Sequence, residues 1–77
     1  MSARSPIRAV PIREEPIRLG QFLKLAGLAE DGVHARALVE AGEVQVNGRD
    51  ETRRGAQLRA GDVVAVGEER ARPVLGD

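Results

Sequence analysis

The chain contains no cysteine, tryptophan or tyrosine, and it has a single phenylalanine. The absence of cysteine excludes disulfides, thiolate catalysis and cysteine-ligated zinc. No apolar run approaches the roughly 20 residues of a membrane-spanning helix, and the N-terminus lacks the apolar core of a signal peptide. The scarcity of aromatic residues counts against the stacking surfaces of single-strand nucleic-acid binders. We therefore expect a cytoplasmic protein that does not contact a membrane.

An excess of one charge is also missing, because twelve basic and twelve acidic residues leave a formal net charge of zero over 77 residues. Such a length allows one small domain, and nucleic-acid binders usually carry a basic excess. Eleven of the twelve basic residues are arginine, the exception being Lys24. A guanidinium group suits phosphate oxygens and base edges. A compositional bias of the source genome would produce the same arginine count, so the count alone identifies no function.

Residues 31–48 have the pattern of a helix that leads into a β-hairpin. Asp31 is a suitable N-cap, and Gly42 is suited to the left-handed residue that ends a helix. Between them, apolar residues recur at helical spacing, at Ala35, Leu38 and Val39. Two valines then alternate with polar residues, and Asn47-Gly48 predicts a type I′ turn because both residue types tolerate positive φ. The rest of the chain is expected to cover the apolar face of this segment.

The flanking segments predict a second helix and further strands. Apolar residues at helical spacing indicate a helix over residues 20–26, with Phe22 in the core rather than available to stack on bases. Strands are predicted near residues 17–19, 63–66 and 70–75, the last confined to an edge by Pro73. The predicted fold is α+β, with two short helices packed on a small antiparallel sheet in a single domain over residues 16–75.

Residues 1–15 contain the tripeptide Pro-Ile-Arg twice, at Pro6 and Pro11, and a third copy follows at Pro16. Proline restricts its own φ and disfavours helix at the preceding residue, so an extended or disordered tail is predicted. One interpretation is a basic arm that clamps a polyanion through Arg4, Arg8 and Arg13. A solvated leader is the alternative, favoured because two glutamates after Arg13 cancel part of the charge.

Five segments stand in an order and spacing that resemble a known family: residues 19–27, Gly32 with Ala35-Arg36, residues 42–48, residues 51–55 and residues 61–64. The family is the S-four-type RNA-binding domain, or alpha-L motif. The chain is similar above all to its short stand-alone YbcJ-like and YaaA-like members, which are associated with the ribosome. The likeness covers residues 17–66. It implies two helices packed on a small sheet and a surface that binds structured RNA.

The resemblance implies an RNA-binding surface formed by Lys24, Arg36, Asn47, Arg49, Arg53, Arg54 and Arg59. Asn47 is expected to serve mainly the turn. The alternative is a set of solvated charges paired with Glu40, Asp50 and Glu51. The sequence also departs from the pattern of many larger members, which begin the second helix with Ser-Arg where this chain has Asp31-Gly32.

The expected function is that of a non-catalytic, monomeric RNA-binding protein. It would dock on ribosomal or transfer RNA through phosphate contacts and act at the ribosome, in assembly or translation. A protein–protein adaptor that uses the same scaffold without RNA is the alternative. A small enzyme is disfavoured because His34, the single histidine, has no suitably spaced catalytic partner. No cofactor is expected, and the carboxylates do not cluster in a pattern suited to a metal.

Overall fold

The computed structural model describes residues 6–76, which form two helices and seven strands. The helices are α1 (Leu19–Leu25) and α2 (Gly32–Glu40). The strands are β1 (Ile7–Ile12), β2 (Ile17–Arg18), β3 (Val44–Val46), β4 (Arg49–Asp50), β5 (Gln57–Leu58), β6 (Val64–Val66) and β7 (Glu69–Leu75). One sheet has the order β1-β7-β6-β3-β4, and β2 pairs with β5 in a second sheet. The α+β class is confirmed, with the addition that β1 and β7 run parallel, so the larger sheet is mixed.

Helix α2 begins and ends at the residues that the sequence indicates. The Asp31 carboxylate accepts a hydrogen bond from the His34 backbone N–H at 2.8 Å, which satisfies one of the free donors of the first turn. Gly42 follows the helix with φ +74°, the left-handed conformation that glycine adopts without strain. Within residues 6–76 no helix has both the length and the hydropathy needed to cross a membrane.

The turn between β3 and β4 has positive φ at both central residues, 53° at Asn47 and 84° at Gly48. This is the geometry expected for a type I′ hairpin. The Asn47 backbone N–H also donates to the Val63 carbonyl at 2.7 Å, which extends the hairpin contact beyond the β3–β6 ladder. The turn therefore packs against the segment that leads into β6.

The core lies between the helices and the larger sheet. Phe22 is completely buried, as its position on the apolar face of α1 predicts. Its largest fully buried companions are Leu19, Leu23, Leu58, Val39, Val44, Val64 and Pro73. Leu38, which the helical spacing also placed on the apolar face of α2, is only half-buried and packs at the margin of this cluster.

The predicted N-terminal tail is partly a strand of the fold. Residues 7–12 are extended, as predicted, but β1 pairs with β7 in register Ile7 to Arg70 and Ile12 to Leu75. Val10 and Ile12 are buried in the core. A solvated leader is therefore wrong for these residues, because burying the two side chains removes apolar surface from water. The arginine at position 4 lies outside the described residues.

The predicted edge position of β7 is also wrong. The strand lies between β1 and β6, yet its pairing with β6 ends at Ala71. Pro73 lies beyond that point, and its carbonyl accepts a hydrogen bond from the Gly61 N–H at 2.9 Å. Within a strand, the N–H and C=O of one residue point to the same side. The Pro73 carbonyl points towards Gly61 and not towards β1, so the N–H that proline lacks would not have bonded to β1 either. An interior strand therefore accommodates a proline because β6 has already ended.

Candidate functional site

The loop between β4 and β5 packs against the start of α1. The Leu19 N–H donates to the Ala56 carbonyl at 2.8 Å, and the Gly20 N–H donates to the Arg54 carbonyl at 2.9 Å. These bonds satisfy two of the donors that a helix N-terminus leaves unpaired. A Cβ atom at Gly20 would lie 3.7 Å from the Arg54 Cβ, so the loop approaches the helix closely at a residue without a side chain.

This contact brings Arg54 to the same side of α1 as Lys24. Lys24 lies one helical turn after Gly20, and residues four apart on a helix have Cβ atoms about 6 Å apart. The Cβ atoms of Arg54 and Lys24 are therefore separated by no more than about 10 Å. Both side chains are exposed, and neither forms an ion pair within the described part of the chain. The pair thus forms an uncompensated cationic site across elements remote in sequence.

Arg36 projects from α2 and forms an ion pair with Glu40. Its Nε lies 2.9 Å from Glu40 Oε2, at the i,i+4 spacing that favours such pairs. The hydrogen bond and the charge of Glu40 raise the pKa of Arg36. Both side chains are more than half exposed, and ion pairs in water are worth little. Another anion can therefore replace Glu40 as the partner of Arg36 at little cost.

Arg53 is paired differently from its neighbour Arg54. Its Nε and its backbone N–H both donate to Glu51 Oε2, at 3.2 and 3.1 Å. The side-chain hydrogen bond from Arg53 is the main cause that lowers the pKa of Glu51, with the backbone N–H next. The Arg53 side chain remains 79% exposed, so its charge is accessible to solvent. Arg53 combines a local structural contact with an accessible charge.

Asp62 connects Asn47 with the segment that carries Arg59. One carboxylate oxygen of Asp62 accepts from the Asn47 side chain at 3.1 Å, and the other accepts from the Arg59 backbone N–H at 2.8 Å. The side-chain oxygen of Asn47 accepts in turn from the Val63 N–H at 2.9 Å. Both polar atoms of the amide are thus engaged within the fold. The Arg59 side chain faces Glu15 at 3.9 Å and remains largely exposed.

Arg49 lies on β4, at the outer edge of the larger sheet. It is opposite Val46 in the hairpin, is exposed, and has no ion pair among residues 6–76. The seven predicted site residues are therefore of three kinds. Lys24, Arg49 and Arg54 have no ion pair in the described residues, and Arg36, Arg53 and Arg59 face carboxylates. The side chain of Asn47 is hydrogen-bonded to the segment before β6. No hydrogen bond or ion pair in the described residues joins Arg36 to the other six.

Two arginines of the predicted N-terminal arm have different positions. Arg8 donates from Nη2 to the Ala26 carbonyl at 2.7 Å, which ties β1 to the residue that caps α1. Arg13 lies in the connection after β1 and lines an open groove together with Lys24. Reasoning from the sequence did not associate these two cations, because only the pairing of β1 with β7 brings the connection beside α1.

His34 has a structural role at the start of α2. Its Nδ1 accepts a hydrogen bond from the Glu30 N–H at 3.0 Å, while its own backbone N–H donates to Asp31. This arrangement resembles a capping box, with the imidazole in the place of a glutamate, but its donor is the N–H of Glu30 rather than that of the N-cap Asp31. Across residues 6–76 no three histidine, aspartate or glutamate residues are grouped in a way that could hold a metal ion.

The fold and this surface define a small α+β domain of the alpha-L type, with exposed cations on the first helix and on the loop that packs against it. The chain belongs to the S4 domain family, whose model matches residues 10–72. It is 44% identical over 57 residues to the probable ribosome maturation protein RlbA of Bacillus subtilis (strain 168), a match covering 74% of this chain and 80% of that protein.

A solved structure gives the same assignment. The solution structure of YbcJ from E. coli, described as revealing an alpha-L motif involved in RNA-binding, aligns with a TM-score of 0.69 at 28% identity. The alignment covers 96% of this chain and 95% of that chain. The resemblance drawn from the sequence is confirmed, including its alpha-L architecture.

Proposed function

We propose that this domain binds structured ribosomal or transfer RNA and acts in the maturation of the ribosome. The observation that carries the proposal is the convergence of Lys24 and Arg54 on one side of α1 without a compensating carboxylate. The names of its relatives support the choice of partner, since one is a probable ribosome maturation protein and the other carries an RNA-binding motif.

The proposed phosphate surface comprises Lys24, Arg36, Arg49, Arg53, Arg54 and Arg59. Its members are exposed and can reach phosphate oxygens. The fully buried Phe22 offers no ring for base stacking. We therefore infer that affinity comes from phosphate contacts and from RNA shape rather than from base reading. Asn47 contributes by holding the turn beside Arg49.

The proposed activity is binding without catalysis, by a cytoplasmic monomer. His34 supports this because its Nδ1 already accepts the Glu30 N–H, and among the described residues no side chain hydrogen-bonds to the imidazole to orient or activate it. A general base needs a nitrogen that can reach a substrate proton. Activity on a nucleotide substrate would contradict the proposal.

The test is binding of the purified protein to ribosomal subunits and to transfer RNA at about 50 and 200 mM salt. Each phosphate contact releases counterions, so affinity is expected to fall at least about tenfold across this range. Changing Arg53 and Arg54 together to alanine is expected to weaken binding and to lower the salt slope by roughly one unit per lost phosphate contact.

The matched control replaces the same two arginines with lysines, which keeps both charges. This variant is expected to retain most of the salt slope, whereas the alanine variant loses part of it. A slope that is unchanged in the alanine variant would remove Arg53 and Arg54 from the interface. Thermal unfolding of both variants checks that these exposed substitutions leave the fold intact.

A protein–protein adaptor is the second candidate, and two exposed apolar side chains favour it. Leu25 on α1 is 54% exposed and Val33 on α2 is 80% exposed. An interface built on such residues would be nearly insensitive to salt, in contrast to a phosphate surface. Failure of the folded protein to bind either RNA at about 50 mM salt would favour this function instead.

A further inference from the structure

An open groove of about 730 Å³ lies between the β1–β2 connection and the outer face of α1. Its volume is within the range of about 300–1,000 Å³ typical of small-ligand sites. Apolar side chains line much of it, among them Pro11, Ile17 and the half-exposed Leu25. Gln21, Arg13 and Lys24 supply polar groups along its length.

Two hydrogen bonds tie the segments beside the groove to the rest of the fold. Arg8 ties β1 to the end of α1 through its 2.7 Å bond to the Ala26 carbonyl. On the other side, the Glu15 carboxylate accepts from the Ala60 N–H at 2.6 Å, which fixes the β1–β2 connection against the loop after β5. A site whose walls are already fixed loses little conformational entropy when it binds a ligand.

The charges of the groove favour an anionic occupant. Arg13 and Lys24 have no ion pair in the described residues, and they outnumber the one carboxylate of the lining, Glu14. Lys24 also belongs to the phosphate surface, so the groove is continuous with the proposed RNA interface. An RNA strand held by Arg54 and Lys24 would therefore pass directly along the rim of the groove.

We infer that this groove receives one unpaired nucleotide of the bound RNA, with its base on Pro11, Ile17 and Leu25 and its phosphate between Arg13 and Lys24. The inference rests on the proposed function and specifies it further. A paired base has both faces covered by its neighbours, whereas an unstacked base presents an apolar face that needs cover. The apolar side chains of Pro11, Ile17 and Leu25 can cover that face in place of an aromatic ring.

The absence of cysteine makes a direct test possible. Leu25→Cys introduces a unique thiol inside the groove, and Val33→Cys introduces one on α2, outside the groove lining. Each variant is labelled with a photoreactive group, bound to total ribosomal RNA at about 50 mM salt and cross-linked. Unpaired nucleotides are expected at the cross-links from position 25, enriched over those from position 33.

A second pair of variants tests the energetic contribution of the groove. Leu25→Asp places a carboxylate where the base is expected, and Val33→Asp makes the same change of charge at a more exposed site. The first is expected to weaken binding to ribosomal RNA at least about tenfold relative to the second. Circular dichroism and thermal unfolding confirm that both exposed substitutions leave a folded protein.

The two levels of the proposal fail in different ways. Two results would overturn the groove inference alone, provided that the wild-type protein shows salt-dependent RNA binding. One is cross-linking from position 25 only to paired nucleotides, and the other is equal RNA affinity of the two aspartate variants. No RNA binding by the wild-type protein would overturn the proposed function and the inference with it. Cross-links from position 25 to ribosomal proteins in intact subunits, without RNA cross-links, would assign the groove to a protein segment instead.

Discussion

At the scale of single residues, both polar atoms of the Asn47 side-chain amide form hydrogen bonds within the fold. We expect Asn47→Ala to lower the free energy of unfolding by about 0.5–2 kcal/mol, because the bonds to Asp62 and Val63 are lost and alanine is strained at positive φ. Asn47→Gly keeps the conformation but not the bonds, so its loss is expected to be smaller. Urea denaturation measures both, and an alanine variant as stable as wild type would contradict this role.

The contact between Arg53 and Glu51 predicts a pH dependence of stability. The pKa of Glu51 is lowered from its ordinary value of 4.5 in the folded protein, so the folded state binds this proton less tightly than the unfolded state does. The stabilisation is therefore complete above pH 4.5 and is lost as the pH falls through the lower, folded-state pKa.

An NMR titration of the Glu51 carboxyl carbon tests this prediction. Arg53→Ala is expected to return the pKa of Glu51 towards its ordinary value, whereas Arg54→Ala is expected to leave it in place because Arg54 does not contact Glu51. If the two substitutions changed the pKa of Glu51 equally, the summed positive charge of the loop would act on Glu51 rather than the specific hydrogen bond from Arg53.

Some of these pairings could be predicted from the sequence and others could not. Glu40 lies four residues after Arg36, and Glu51 lies two before Arg53, so short spacing was enough to propose both as partners. The third proposed carboxylate, Asp50, instead accepts from the Gln45 amide across the hairpin. The approach of Arg54 to Lys24 depends on packing between distant segments, which local spacing does not reveal.

At the scale of secondary-structure elements, β1 gives a sharp prediction. Ile12 is only 4% exposed, so Ile12→Ala is expected to cost about 2–5 kcal/mol through lost burial and a cavity. Ile7→Ala, at the half-buried start of the same strand, is the matched control and is expected to cost less. Denaturation curves distinguish the two variants. If neither substitution changed the free energy of unfolding, residues 7–12 would be a solvated leader after all.

The helices and the hairpin could be predicted because their signals are local. Apolar spacing, an N-cap and an Asn-Gly pair lie within a few residues of the structure they specify. The strand β1 was missed because its evenly spaced prolines suggested a tail, although Val10 and Ile12 already alternate with Pro11 as strand residues do. Only its partner β7, at the other end of the chain, decides between those interpretations.

At the scale of the whole molecule, net neutrality makes the position of each charge more important than the total. Glu40→Gln and Glu43→Gln change the net charge equally, but only the first releases Arg36. We expect Glu40→Gln to raise RNA affinity and the salt slope more than Glu43→Gln does, with the slope rising by roughly one if Arg36 contacts a phosphate. Filter binding at several salt concentrations measures both, and equal gains would indicate that only total charge matters.

The parallel pairing of β1 with β7 also sets an order of events during synthesis. Among the five described strands of this sheet, β1 leaves the ribosome first and its partner β7 leaves last, since Ile7 pairs with Arg70 and Ile12 with Leu75. Until β7 emerges, Val10 and Ile12 lack the neighbouring strand beside which they are buried. Pairing between sequence-distant segments is also slow to form. The five-stranded sheet of this domain can therefore be completed only after β7 has been translated.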